Sequence, residues 1–207
     1  MIYLFILEII GTIAFTIGAS VLAIKSKMDV LGVIILSIIA ALGGGLMRDV
    51  ILHKDIVLFE EPIYLIITVI TSLIIFITFY FIKKTDFFDN KYFNIFLNIM
   101  DGIGLGVFVV VGANAALNLT SNLLFIVFCA LITGVGGGVV RDLMINRIPV
   151  IFRKHIYALA ALVGIIIYLI FSHYNLELLG SVTAIVSITI IRILSQHFEL
   201  SLPKIKI

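Results

Sequence analysis

Seven stretches of this chain are almost uninterrupted runs of apolar residues: Ile2–Ile24, Val30–Met47, Ile63–Ile82, Tyr92–Leu117, Leu123–Val140, Ile156–Ser172 and Leu178–His197. A helix needs about 20 mostly apolar residues to cross a bilayer, and each stretch is near that length. Phe, Ile and Leu dominate, and no alternating polar face runs through them, which argues against an outer-membrane barrel. The connectors are short and polar, as in "KSKMD", "KKTDFFDNK", "NLTSN" and "HYNLE"; only Arg48–Pro62 and Arg141–His155 are longer. The pattern predicts an all-α polytopic membrane protein of seven transmembrane helices with no separate soluble domain. The N-terminal "MIYLFILEIIGTIAF" lacks a basic leader and a convincing cleavage site, so it reads as a retained first span.

The interruptions recur. "GGGLMRDV" at Gly43–Val50 returns as "GGGVVRDL" at Gly136–Leu143, a shift of 136 − 43 = 93 residues. The same ungapped shift pairs Glu8 with Asp101, Gly11 with Gly104, Phe15 with Phe108, Lys54 with Arg147, and Ile63-Tyr64 with Ile156-Tyr157. Matching glycines, charges and a tyrosine in one register point to a duplication. The chain divides into a first three-helix repeat over residues 1–93, a second over 94–175, and a seventh helix with a short tail over 176–207. Three spans per repeat invert the second copy, an architecture common among solute-moving proteins, whose sites lie where the copies meet.

Composition bears this out and excludes other classes. Of 207 residues, 62% are hydrophobic and 13% charged, and the mean hydropathy is +1.29; soluble domains are nearer half apolar and a quarter charged. A net charge of +2 without a basic run argues against nucleic acid as a partner. Cys129 is the only cysteine, which rules out an intrachain disulfide and argues against a Cys-based metal site. His53, His155, His173 and His197 show no metal-ligand spacing and read as solvated residues at span ends. Ser and Thr within the spans read as bonded to their own helix backbone. No enzymatic activity, metal or cofactor is expected.

Orientation follows from basic residues. Lys25, Lys27, Lys83, Lys84, Lys91, Arg141, Arg147, Arg153, Lys154, Lys204 and Lys206 fall on the C-terminal side, with Arg192 near it, and only Arg48 and Lys54 fall on the other. The chain is therefore expected in the cell membrane with its N-terminus outside and its C-terminus in the cytoplasm. Asn118–Thr120, "NLT", is a glycosylation-type sequence on the outer side.

Each glycine costs about 1 kcal/mol relative to alanine inside a helix, so a triplet is expected to bend or break spans two and five. Unwound backbone is tolerated within a membrane only inside protein or beside a wet cavity, where freed carbonyls can replace part of a cation's hydration. Asp49 and Asp142 are expected at the start of the segment after each break, where a helix N-terminus favours a carboxylate. Glu8 and Asp101 lie at intramembrane depth, where charges are rare and usually functional. Each serves either as a structural ion-pair partner, Glu8 with Arg48 and Asp101 with Arg141, or as an attractor of cations.

The doubled GGGxxRD-like segment, the three-plus-three spans and the unpaired seventh together resemble the trimeric intracellular cation channels, in their bacterial and archaeal branch. The resemblance covers nearly the whole chain. It implies a homotrimer with a pore in each subunit, lined by the second and fifth spans and selective for monovalent cations, chiefly potassium. Carried over by position, the pore residues are Gly43, Gly44, Gly45, Arg48 and Asp49 with Gly136, Gly137, Gly138, Arg141 and Asp142. The short tail "SLPKIKI" cannot hold the long regulatory tail of animal members. The alternative is a secondary transporter of a small zwitterion such as glycine, in which Arg and Asp would hold carboxylate and ammonium.

Overall fold

A computed structural model describes residues 2–82, 90–153 and 156–198. Lys83, Lys84, Lys154, His155, Lys204 and Lys206 lie outside the described residues, as does the side chain of Arg153. Nine helices follow one another among the described residues: α1 Ile2–Lys25, α2 Val30–Ile51, α3 Val57–Glu60, α4 Ile63–Ile82, α5 Lys91–Leu117, α6 Leu123–Met144, α7 Val150–Arg153, α8 Ile156–His173 and α9 Glu177–His197. All but the four-residue α3 and α7 are long and apolar enough to span a bilayer, giving the seven expected spans.

Local chemistry sets the ends. Asp29 and Asn122, 93 apart, cap α2 and α6 by accepting from backbone amides of the first turn. At the other ends the chain turns left-handed at His53 (φ 52°) and Asn146 (φ 56°). His53 N–H then reaches Val50 O, and Lys54 N–H reaches Asp49 O; Asn146 and Arg147 bond Leu143 and Asp142 in the same way. This double bond to the last-turn carbonyls closes each helix without a glycine.

The helices do not break at their glycine triplets, contrary to the sequence expectation: α2 and α6 are each one continuous element through Gly43–Gly45 and Gly136–Gly138. Magnitudes explain why. Three glycines cost about 3 kcal/mol of propensity, whereas each backbone group left unpaired in lipid costs several. The missing side chains serve close packing instead. A Cβ on Gly44 would collide with the carbonyl of Thr133, and one on Gly137 with the carbonyl of Ala40. Since 40 + 93 = 133 and 44 + 93 = 137, each glycine of one helix seats against the matching carbonyl of the other.

Reciprocity extends to the neighbouring pair. α1 packs on α5, where Gly11 faces Val107 and Phe108, Gly104 faces Phe15, and the two phenylalanine rings stack with centroids 5.4 Å apart. The centre of the helical bundle is α5, buried continuously from Gly104 to Ala113. α9 packs against it and α8: Gly106 faces Ile185, Gly102 faces Thr189, and Gly164 faces Ile188. Small residues here allow close approach where apolar burial gives little drive between helices. The outward faces are apolar stripes at helical spacing, such as Ile66, Ile70, Ile74 and Ile77 on α4 and Val182, Val186, Ile190 and Leu194 on α9.

Candidate functional site

Two charge clusters flank the crossing of α2 and α6. With seven spans, the last turn of α2 shares one membrane side with the first turns of α1, and the last turn of α6 shares the opposite side with the first turns of α5. The first cluster joins Glu8, Arg48, Asp49 and Tyr64. Arg48 Nε donates to Asp49 Oδ1 at 2.8 Å, and its Nη1 lies 3.5 Å from Glu8 Oε1. The Tyr64 hydroxyl donates to Glu8 Oε2. The free oxygen of Asp49 accepts from Val57 N–H at 3.1 Å, which caps α3.

The second cluster repeats the scheme 93 residues on. Arg141 Nε donates to Asp142 Oδ1 at 2.9 Å, and Nη1 lies 3.3 Å from Asp101 Oδ1. Asp142 Oδ2 accepts from Val150 N–H at 3.0 Å, which caps α7. Asp49 and Asp142 thus meet a helix N-terminus as expected, but from outside it: they sit in the last turns of α2 and α6 and cap the helix that follows. Arg48, Asp49, Arg141 and Asp142 are buried. A lone charge within a membrane is costly, and pairing is how it is held there.

Each cluster borders a cavity. The first, about 30 Å³, is lined by Glu8, Gly45, Arg48, Asp49 and Tyr64. A larger one of about 230 Å³ is lined by Lys25, Asn98, Asp101, Arg141, Asp142, Arg147 and Arg192. The two share no lining residue. Between them lies the glycine crossing, where a Cβ on Gly43 would stand 3.7 Å from Gly137 Cα. A Cβ on Gly45 would stand 3.9 Å from Arg48 Nη2, and one on Gly138 3.8 Å from the Tyr157 hydroxyl and 3.9 Å from Arg141 Nη2. Gly136 lies under the thioether of Met47. The arrangement can stabilise small charged solutes on either side of a closed centre. Among the described residues, no group of three or more His, Cys, Asp or Glu side chains is arranged to hold a metal ion.

A family model described as a glycine transporter matches the chain twice, over residues 5–80 and 98–173; since 98 − 5 and 173 − 80 both equal 93, the matches keep the register of the internal repeat. The UPF0126 inner membrane protein YadS of Escherichia coli is 33% identical over 95% of this chain and 93% of its own length. A crystal structure of a prokaryotic TRIC channel in 0.5 M KCl is 33% identical, with TM-score 0.86 over 97% of this chain and 99% of that one. A further structure, from work on conductance through TRIC cation channels, is 34% identical with TM-score 0.82 over 98% and 97%. The chain belongs to the prokaryotic branch of the trimeric intracellular cation channel family. These solved members are channels, not enzymes.

Within this TRIC-family chain, the sequence singled out ten of the residues at the crossing and its flanks, and both intramembrane acids. It missed three. Tyr64 and Tyr157 were visible only as matched positions of the repeat. Arg192 stood at intramembrane depth in the seventh span, yet α9 lies outside the repeat, so no register pointed to its partner. That partner is Asp101, whose Oδ2 pairs with Arg192 Nη1. The hydroxyl expectation holds for Thr16, Thr68, Thr133, Ser181 and Thr189, each bonded to a carbonyl one turn back. Ser20 and Ser37 depart from it and bond each other at 2.8 Å across α1 and α2.

Proposed function

We propose that this chain is a cation channel in which each subunit of a homotrimer carries its own path for monovalent cations, chiefly potassium. The path runs from the cavity beside Glu8, Arg48 and Asp49, through the crossing of α2 and α6, to the cavity beside Asp101, Arg141 and Asp142. Gly43, Gly44 and Gly45 with Gly136, Gly137 and Gly138 form its narrowest part. The observation that carries this reading is the pair of matched buried charge clusters facing one crossing from opposite sides, within a fold shared with solved cation channels. The reciprocal contacts 93 residues apart support an inverted duplication over residues 1–93 and 94–175, with 176–207 added to it. The centre is shut by backbone contact, so conduction requires α2 and α6 to part at their glycines. The aspartates neutralise the two pathway arginines and keep them from repelling cations.

A second reading is favoured by the double match to the glycine-transporter family model: alternating exposure of the two cavities would carry a small zwitterion held by Arg and Asp. Planar-bilayer recording and radiolabelled glycine uptake on one purified preparation divide the two. Discrete unitary potassium currents are expected. Glycine accumulation without unitary current would overturn the channel reading.

A further inference from the structure

The two charge clusters match position for position, but α9 adds a residue to only one of them. Arg192 reaches in from α9, beyond both segments that match the family model. Its Nη1 pairs with Asp101, and its guanidinium carbon lies 4.2 Å from the centroid of the Tyr157 ring. It stands between a carboxylate and a tyrosine face. Those partners correspond to Glu8 and Tyr64 in the other cluster, where the Tyr64 hydroxyl bonds Glu8 directly.

Charge and space differ accordingly. Glu8, Arg48 and Asp49 sum to −1, whereas Asp101, Arg141, Asp142 and Arg192 sum to zero. The cavity bordered by Arg48, Asp49 and Tyr64 is about 30 Å³. Its counterpart beside Arg141, Asp142 and Tyr157 is about 10 Å³, while Asp101 and Arg192 line the separate cavity of about 230 Å³ on that side. Holding one water takes roughly 10–15 Å³ or more, so the first has room for a body of that size and the second is at the limit.

We propose that Arg192 is a tethered cation filling one of two equivalent cation positions, and that a free monovalent cation takes the other, between Glu8 and Tyr64. Carboxylate attraction and the negative face of a tyrosine ring are the same chemistry at both. At the Glu8 position the cation displaces the Tyr64 hydroxyl from Glu8. At the Asp101 position Arg192 excludes ions until α9 moves. The inference rests on the cation-pathway reading.

The test compares thermal stability in KCl and in choline chloride at equal ionic strength, and thallous-ion flux into proteoliposomes, for the full-length oligomer. Potassium is expected to stabilise the wild type over choline, and Glu8→Gln to abolish that difference. Arg192→Gln is expected to enlarge the potassium effect and raise flux severalfold. Arg192→Lys, which restores the charge, should return both toward wild type. If Arg192→Gln does not assemble, Asp101→Asn/Arg192→Gln removes both charges; it should keep the wild-type potassium effect and lose it when Glu8→Gln is added. An unchanged potassium effect in Glu8→Gln, or an assembled Arg192→Gln oligomer with neither effect raised, would overturn the proposal. Absence of flux in every protein, with a potassium effect that still depends on Glu8, would remove the channel reading and leave the site.

Discussion

At the scale of single residues, Asp49 and Asp142 each hold two things at once: an arginine one position back and the first amide of the following short helix. Removing one partner of a buried pair costs about 3–5 kcal/mol, because the other charge stays buried. Asp49→Ala and Asp142→Ala should therefore both lower the unfolding temperature. The losses should differ. Asp49→Ala takes the Glu8 cluster from −1 to zero and leaves Arg48 with Glu8, whereas Asp142→Ala takes the Asp101 cluster from zero to +1, with Arg141 and Arg192 sharing Asp101. Asp142→Ala should be the less stable. Cys129 is the only cysteine in the chain and is buried, so a thiol-reactive dye reads unfolding directly; equal stability of the two variants would contradict this charge balance.

Among the elements, the glycine triplets act by single members. Gly44 and Gly137 meet the opposing backbone, while a Cβ on Gly43, Gly45 or Gly138 would find only ordinary contacts at 3.7–3.9 Å. Alanine at Gly44 or Gly137 should force α2 and α6 apart and cost about 1–3 kcal/mol as overpacking. Alanine at Gly43, Gly45 or Gly138 should be neutral, or stabilise by up to about 1 kcal/mol through helix propensity. Thermal unfolding of the five variants checks this, and a uniform response would mean that the crossing is not where the contacts place it. These same elements mark how far the sequence could be read. The spans were legible because lipid demands a long apolar run, and the duplication because charges and glycines share one register. The helix ends were less so. Arg48 and Arg141 looked like the start of connectors, yet α2 and α6 continue to Ile51 and Met144, with the left-handed turn at His53 and Asn146; of these only Asn146 is a common stop signal. The glycines misled for a related reason: propensity argues for a break, and the partner helix shows which member of each triplet, Gly44 or Gly137, seats its backbone.

For the whole molecule, orientation decides which of the two charge clusters faces the cytoplasm. Connectivity puts Lys25, Lys27, Lys91, Arg141, Arg147 and Arg192 near one membrane side. Arg48 and Lys54 stand near the other, accompanied by Asp55, Glu60, Glu61 and Glu177. Basic residues in short loops are retained in the cytoplasm, so the Arg192 side should be internal. Single cysteines in a Cys129→Ser background separate the alternatives. Ser121 and Lys27 are both exposed and lie in short connectors on opposite sides, Ser121 between α5 and α6 and Lys27 between α1 and α2. Neither makes an ion pair among the described residues, so substitution should leave the fold intact. An impermeant maleimide added to whole cells should label Ser121→Cys, and should reach Lys27→Cys only after permeabilisation. If Lys27→Cys reacts first, the protein is inserted the other way. Arg192 would then close the external half of the path, and a depolarised membrane, not a polarised one, would favour drawing that tethered charge out of its seat.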